Sequence, residues 1–358
     1  MSHPVPSDPR VSRILVVNFG GIGDEILFFP VIQSLRKSWP QAHLAALVEP
    51  RCKGIMAFNP GVDQVFTFDA KHRPSKREFA RLVWTLRRER YDMAVTAGSS
   101  PLMALLVWLT GARHRIGYAT HRWTSLLTHA VPLNKQQYAA HMYHDLVAWL
   151  GHAPENPRME VPEADRAWAD HFLKTEGARG AAPRVVLHPG VSTLSLQKQI
   201  LKGWTPANWI ALGRRLTAQG LEVVLAGGPD DAAVIGEIRA AAAFPCIDAY
   251  GRTSSMGQLA GLIAAADALV AVDSAPMHVG VAVGTPTIAL FGPTDPSKLL
   301  PREGGHTVVQ SGPLACRPCL WDHRQRSCET PKCLDYAVDD VERAVLNTLQ
   351  TLQEGNPS

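Results

Sequence analysis

Residues 268–296 read ALVAVDSAPMHVGVAVGTPTIALFGPTDP. The apolar run Ala268 to Val272 has the composition of a strand buried on both faces of a parallel sheet. It stops at Asp273 and Ser274, both good helix N-caps, and Pro276 follows at a first-turn position. Small residues from Met277 to Val283 predict a helix that Gly284 ends. Thr287 to Phe291 predicts a second strand, closed by Gly292, Pro293 and Thr294. This is a βαβ unit whose helix begins, with unpaired N–H groups, at the carboxyl end of a strand. Open α/β sheets bind ligands at such points, and a helix N-terminus holds phosphate well. Ser274, Ala275 and Met277 lie in that first turn. His278, one turn in, can donate to a phosphate oxygen; a histidine packed among its neighbours is the other reading.

Upstream, the same pattern repeats. Arg184 to His188 predicts a strand running into Pro189-Gly190-Val191-Ser192-Thr193, a small-residue loop suited to phosphate. Lys202 follows, and Thr205 can cap a helix starting at Pro206. Leu221 to Ala226 predicts the next strand, and Gly227-Gly228-Pro229-Asp230-Asp231 opens the next helix. A carboxylate there can take ribose hydroxyls or serve only as a helix cap.

The first half starts with a buried strand, Arg13 to Asn18, then Gly20, Gly21 and Gly23, then Asp24 and an apolar helix. The turn resembles a dinucleotide-binding one, but Ile26 stands where G-x-G-x-x-G needs its third glycine. Pro30 predicts either a kink or a helix that becomes regular only there. Asp24, at the end of the glycine loop, reads equally as a general base facing the ligand side of the sheet and as an N-terminal cap. A basic segment from Lys71 to Arg90, with apolar residues at helical spacing, suits an anionic surface or is simply a solvated helix face. Arg73 belongs to it, and Arg113, Arg115 and Arg122 add cations further on.

A chain of 358 residues is longer than one typical domain. Strand-loop-helix repeats in both halves predict two doubly wound α/β domains facing each other over a cleft, with residues 1–163 in the first and 164–336 in the second. Residues 337–358 read as a C-terminal helix and tail. The composition, 46% hydrophobic and 19% charged, is that of an ordinary globular protein, and a net charge of +4 permits an anionic ligand. The first ten residues carry no secretory apolar segment, and the longest apolar run, Leu102 to Leu109, is too short to span a bilayer. A cytoplasmic protein, able to rest on a membrane surface, is expected. Cys316, Cys319, Cys328 and Cys333 cluster in one loop. They read as ligands of a structural zinc or iron, or else as reduced thiols.

Several of these blocks occur in one order: Gly23-Asp24, His188-Pro189-Gly190, Lys202-Gly203-Trp204, Gly227-Gly228-Pro229, and Asp273 to His278 through Phe291 to Thr294. In this the chain resembles glycosyltransferase family nine, the ADP-heptose lipopolysaccharide heptosyltransferases. The resemblance covers nearly the whole chain. It implies the GT-B fold, with acceptor on the N-terminal Rossmann-like domain and ADP-heptose on the C-terminal one. It implies inversion, no metal at the chemistry and no nucleic-acid partner. No Asp-x-Asp occurs to chelate a metal diphosphate. By motif position, the resemblance makes Asp24 the base. Lys202 and the Ser192-Thr193 loop contact phosphate, Asp230 the ribose, and Asp273 the sugar hydroxyls. Ala275 stands where the family more often has glycine. Gly23, Arg73, Arg113, Arg115 and Arg122 are expected at the acceptor. That acceptor is implied to be lipid A-Kdo core at the inner-membrane surface, with an autotransporter protein or another glycan as the alternative. A nicotinamide-dependent oxidoreductase and a non-enzymatic nucleotide-sugar or metal-binding module are the competing classes.

Overall fold

The computed structural model describes residues 10–72, 74–180, 182–198, 200–241, 244–320, 328 and 331–354. The chain forms two compact units, Met1–Glu160 and Val161–Ser358. The boundary thus falls a few residues before the one read from the sequence.

The first unit alternates strand and helix in chain order. Its elements are β1 (Arg13–Val17), α1 (Ile22–Ser38), β2 (His43–Val48), β3 (Gln64–Thr67), α2 (Lys76–Arg88), β4 (Met93–Thr96), α3 (Pro101–Leu109), β5 (His114–Tyr118), β6 (His129–Val131) and α4 (Ala139–His144). The six strands order as β3-β2-β1-β4-β5-β6, and every pair is parallel. Strand order reverses between β1 and β4, so the loops after these two strands flank the crevice where such sheets hold ligands. β1 and β2 are apolar almost throughout because helices cover both faces of the sheet. Helix α1 runs unbroken through Pro30. Ser75 caps α2, accepting from the Glu78 N–H while the Glu78 carboxylate takes the Ser75 N–H. That helix buries Leu82 and Leu86 and turns its arginines to solvent.

The second unit repeats the plan. It contains α5 (Glu163–Thr175), β7 (Arg184–His188), α6 (Thr193–Gln197), α7 (Pro206–Ala218), β8 (Glu222–Leu225), α8 (Ala232–Ala240), β9 (Ile247–Asp248), α9 (Met256–Ala264), β10 (Ala268–Val272), α10 (Ala275–Val283), β11 (Thr287–Leu290), α11 (Pro296–Leu299), β12 (Thr307–Val309) and α12 (Val338–Glu354). Its sheet orders as β12-β11-β10-β7-β8-β9, again all parallel, which is the same winding as in the first unit. The reversal lies between β7 and β10. Helix α10 starts one residue after Ser274, and Gly284 closes it in the left-handed conformation at φ 83°, which glycine adopts without steric cost. The final helix is not a separate segment. Val341, Val345 and Leu349 of α12 join Trp209, Val270 and Ile288 in one core, because its apolar residues recur at helical spacing.

Candidate active site

In the first unit, β1 delivers the chain to Gly20 and Gly21 at the strand-order reversal. Asp24 is the third residue of α1, and its Oδ2 accepts the Gly21 N–H at 2.7 Å. The carboxylate therefore does cap the helix, as one reading held. Its other oxygen, Oδ1, accepts from the Tyr143 hydroxyl at 3.3 Å. Gly20 is required here: a Cβ on it would stand 2.2 Å from the Asp24 Cβ. Lys71 Nζ donates to the Gly20 carbonyl at 3.1 Å. Asp24 and Tyr143 line a cavity of about 810 Å³ together with Phe19, Phe68, Phe79 and Met103, and its wall includes the Ala97–Ser100 loop after β4. Burial, then the charge of Asp24, raises the Tyr143 hydroxyl well above its usual range, so it remains a donor. Beneath the loop lies Glu25, 1% exposed, with neither carboxyl oxygen hydrogen-bonded.

Among the described residues, Arg113, Arg115 and Arg122 do not line this cavity. Arg115 spends its guanidinium on the carbonyls of Leu126 and Ala112, both at 2.7 Å, stapling β5 to neighbouring loops. Gly23 does not line it either; it is the second residue of α1. Arg73 lies outside the described residues. Nothing local in the sequence marked Tyr143, which reaches Asp24 across 119 residues.

In the second unit, Asp273 ends β10 and is 4% exposed. Its Oδ2 takes Lys202 Nζ and the Thr294 hydroxyl, each at 2.6 Å. Burial alone would raise this carboxyl. Lys202, Thr294 and the charge of His278 outweigh it and hold the carboxyl below its usual range. Asp273 is therefore paired with Lys202, the cation that the motif reading sets at the phosphate. The Met277 side chain is fully buried and its N–H donates to the Ser274 carbonyl at 3.1 Å. His278 is 6% exposed. Ser274 is the N-cap of α10 but gives it no side-chain cap; its hydroxyl donates to the Val272 carbonyl at 3.2 Å. Ala275 follows as the first helical residue.

Across the β7 loop, exposed Asp230 accepts the Thr193 hydroxyl at 2.7 Å and the Thr193 N–H at 3.1 Å, while the neighbouring Ser192 hydroxyl pairs with that of Ser195 at 2.9 Å. The adjacent Asp231 points inward, where it accepts the Gly228 N–H at 2.7 Å and lies 3.7 Å from His188 Nε2. Of the two carboxylates in this turn, Asp230 is the one available to a ligand. Gly190 is obligatory, since a Cβ there would overlap the Asp231 carboxylate at 1.6 Å.

The cysteine loop packs on the turn after β11, where the Cys319 N–H donates to the Pro293 carbonyl at 2.8 Å. All four thiols are free. Burial first, then the neighbouring thiols, pushes Cys319 and Cys333 upward, so the four share one neighbourhood. Among the described residues, however, no three His, Cys, Asp or Glu side chains are arranged to hold a metal ion.

With both sites described, the comparisons with known proteins define the class: glycosyl transfer is the chemistry. A model of glycosyltransferase family 9 (heptosyltransferase) matches residues 79–329, and the chain belongs to that family. It is 31% identical over 284 residues to lipopolysaccharide heptosyltransferase 3 of Escherichia coli, covering 76% of this chain and 81% of that protein. It is 27% identical over 300 residues to lipopolysaccharide heptosyltransferase 2 of Escherichia coli K12, covering 79% and 84%. Among solved structures, a family 9 glycosyltransferase from Veillonella parvula DSM 2008 matches with a TM-score of 0.79 at 21% identity, over 95% of this chain and 98% of that one. The ADP-heptose LPS heptosyltransferase II of E. coli matches at 0.75 and 23%, over 96% and 100%. The shared fold is GT-B, built from two parallel-sheet α/β domains. The oxidoreductase and binding-module alternatives fall with this membership.

Proposed function

We propose that this chain transfers heptose from ADP-heptose, with inversion, to a sugar of the lipopolysaccharide inner core. The observation that carries the reading is Asp24, a carboxylate held on both oxygens at the wall of a cavity at the strand-order reversal. The names of the relatives support lipopolysaccharide as the acceptor class and ADP-heptose as the donor.

In the proposed step, Asp24 Oδ1 takes the proton from an acceptor hydroxyl while its oxygen attacks the anomeric carbon. The bond from that carbon to the phosphate oxygen breaks on the opposite face, and ADP leaves with the electron pair. The configuration therefore inverts. Charge growing on the diphosphate is met by the α10 N-terminus at Ser274 and Ala275, by Lys202, and by the Ser192-Thr193 loop. Asp230 exchanges its Thr193 partner for ribose hydroxyls. These groups neutralise the leaving diphosphate without a metal.

The reading places the enzyme at the cytoplasmic face of the inner membrane. No helix of the described residues is long and apolar enough to cross a bilayer. The exposed ridge of α2, with Arg77, Arg81 and Arg88 around Trp84, suits an anionic surface. The test is transfer from ADP-heptose to lipid A-Kdo and heptose-bearing cores, read by mass spectrometry and by NMR of the new anomeric centre. The absence of both transfer and ADP release would sink the proposal.

A further inference from the structure

The turn after β8, Pro229–Asp231, carries two adjacent carboxylates that do different work. Asp230 is exposed and holds the Thr193 hydroxyl and N–H. Asp231 is 5% exposed and faces inward. Its Oδ2 takes the Gly228 N–H at 2.7 Å. The same oxygen lies 3.7 Å from Nε2 of His188, the last residue of β7, which is too long for a hydrogen bond. Its Oδ1 lies against Gly190, where a Cβ would stand 1.6 Å away, and a Cβ on Gly227 would stand 3.1 Å from Oδ2. The glycines of both loops are thus fitted around one side chain. The β7 loop rests on Asp231 at its start and is laced to Asp230 at Thr193.

We infer that Asp231 is a positioning residue for the nucleotide. It sets the height of the β7 loop above the sheet, so that Ser192, Thr193 and Asp230 meet ADP as one surface, and it does so without touching ADP itself. The inference rests on the proposed donor site in this unit and adds a residue to it.

The physical reason is shape rather than charge. Burial opposes charge on both buried groups, raising the Asp231 carboxyl and lowering the His188 imidazole, and their mutual attraction only offsets part of this. What locates the carboxylate is the Gly228 N–H together with close packing under Gly190. An asparagine amide reproduces that outline and keeps one acceptor oxygen. A glutamate keeps the charge but adds a methylene where there is no space for it, and it must lift the loop.

The test separates shape from charge. ADP binding to the full chain is measured by isothermal titration calorimetry, and kinetics are run with ADP-heptose. Asp231→Asn should bind ADP within about twofold of the parent, whereas Asp231→Glu should bind about 10-fold more weakly. KM for ADP-heptose should rise alike in the glutamate variant, with kcat nearly unchanged. Asp231→Ser empties the space under Gly190 and should also weaken ADP; it stands in if the glutamate variant does not fold. Leu349→Ala, in the α12 part of the core, is the control for lost stability alone. The reverse order, with Asp231→Glu near parental and Asp231→Asn weak, overturns the inference in favour of charge. So does an ADP affinity that none of the Asp231 variants changes, or a loss in Leu349→Ala as large as that in Asp231→Glu. Parental binding of ADP with unaffected variants removes only this inference. Failure of the parent to bind ADP removes the proposed donor site, and this inference with it.

Discussion

The Tyr143 hydroxyl donates to Oδ1 of Asp24 at 3.3 Å, while the Gly21 N–H occupies Oδ2 at 2.7 Å. One carboxylate thus serves two roles. One oxygen closes the first turn of α1, and the other is steered by a buried phenol at the cavity wall. Tyr143 packs edge-on against Phe28, with centroids 5.7 Å apart, so its ring is fixed as well.

On the proposed mechanism, this arrangement separates the base, Asp24, from its positioner, Tyr143. Asp24→Asn keeps the helix-capping oxygen but removes the base, and turnover should fall by about 10²- to 10⁴-fold. Tyr143→Phe keeps the packing against Phe28 and deletes one hydrogen bond, worth roughly 1 kcal/mol. Its expected effect is a loss of about tenfold or less in kcat, with KM and melting temperature nearly unchanged. Steady-state kinetics on the two variants decides between these roles. If Tyr143→Phe changed KM alone, the residue would be contacting acceptor rather than orienting Asp24.

Gly20 makes a steric prediction. Its missing side chain lets the Asp24 Cβ approach to 2.2 Å from where a Cβ would stand, and the clash would be with the root of the base. Gly20→Ala should displace Asp24, cost about 1–3 kcal/mol as overpacking does, and, on the proposed mechanism, reduce kcat further than that loss of stability explains. Gly54→Ala is the control, because nothing lies within 4 Å of its Cβ position. Denaturant unfolding and kinetics on both variants test it.

Glu25 makes a prediction about pH. Burial first, then the charge of Asp24, raises its carboxyl well above the usual value. The fold therefore favours the neutral form. Below the unfolded-state value the group is protonated in both states and imposes no ionisation cost. As pH rises past that value the unfolded chain ionises first, and stability falls until the folded-state value is reached. Glu25→Gln removes this dependence. The melting-temperature gap between variant and parent should widen in favour of the variant from about pH 4 upward. A gap independent of pH would mean that Glu25 is not held neutral.

The fold was legible because its signals are local. Pro276 and Gly284 punctuate one helix, and apolar runs mark each strand of a sheet covered on both faces. The site was legible only in part, for a physical reason visible at Asp273. Its position marked it as a ligand group, but its partner Lys202 lies 71 residues away, and only the folded sheet shows the two paired. Tyr143 and the three phenylalanines are likewise brought to Asp24 by separate elements, with no motif to announce them. The four cysteines show the opposite case, since their nearness in sequence was enough to suggest a ligand set.

Lys202 and Asp273 make the last prediction. The ion pair is 2.6 Å long, with side chains 18% and 4% exposed. Lys202→Met leaves a buried carboxylate with Thr294 as its remaining hydroxyl donor, and breaking one side of such a pair costs about 3–5 kcal/mol. Asp273→Asn leaves a partly exposed ammonium, which solvent can serve, and should cost less. The double variant should recover stability relative to Lys202→Met alone, because it removes the unpaired charge. Parent stability should also weaken toward acid. The folded-state value of Asp273 is depressed, so its contribution is present above the unfolded-state value and is lost as pH falls through the folded one. A double-mutant cycle by denaturant unfolding at neutral and acid pH measures both effects. Simple additivity at neutral pH would show that the two residues do not stabilise one another. ADP binding gives the functional counterpart: Asp273→Asn keeps the lysine but frees it from its anchor, so affinity for ADP should fall less than in Lys202→Met.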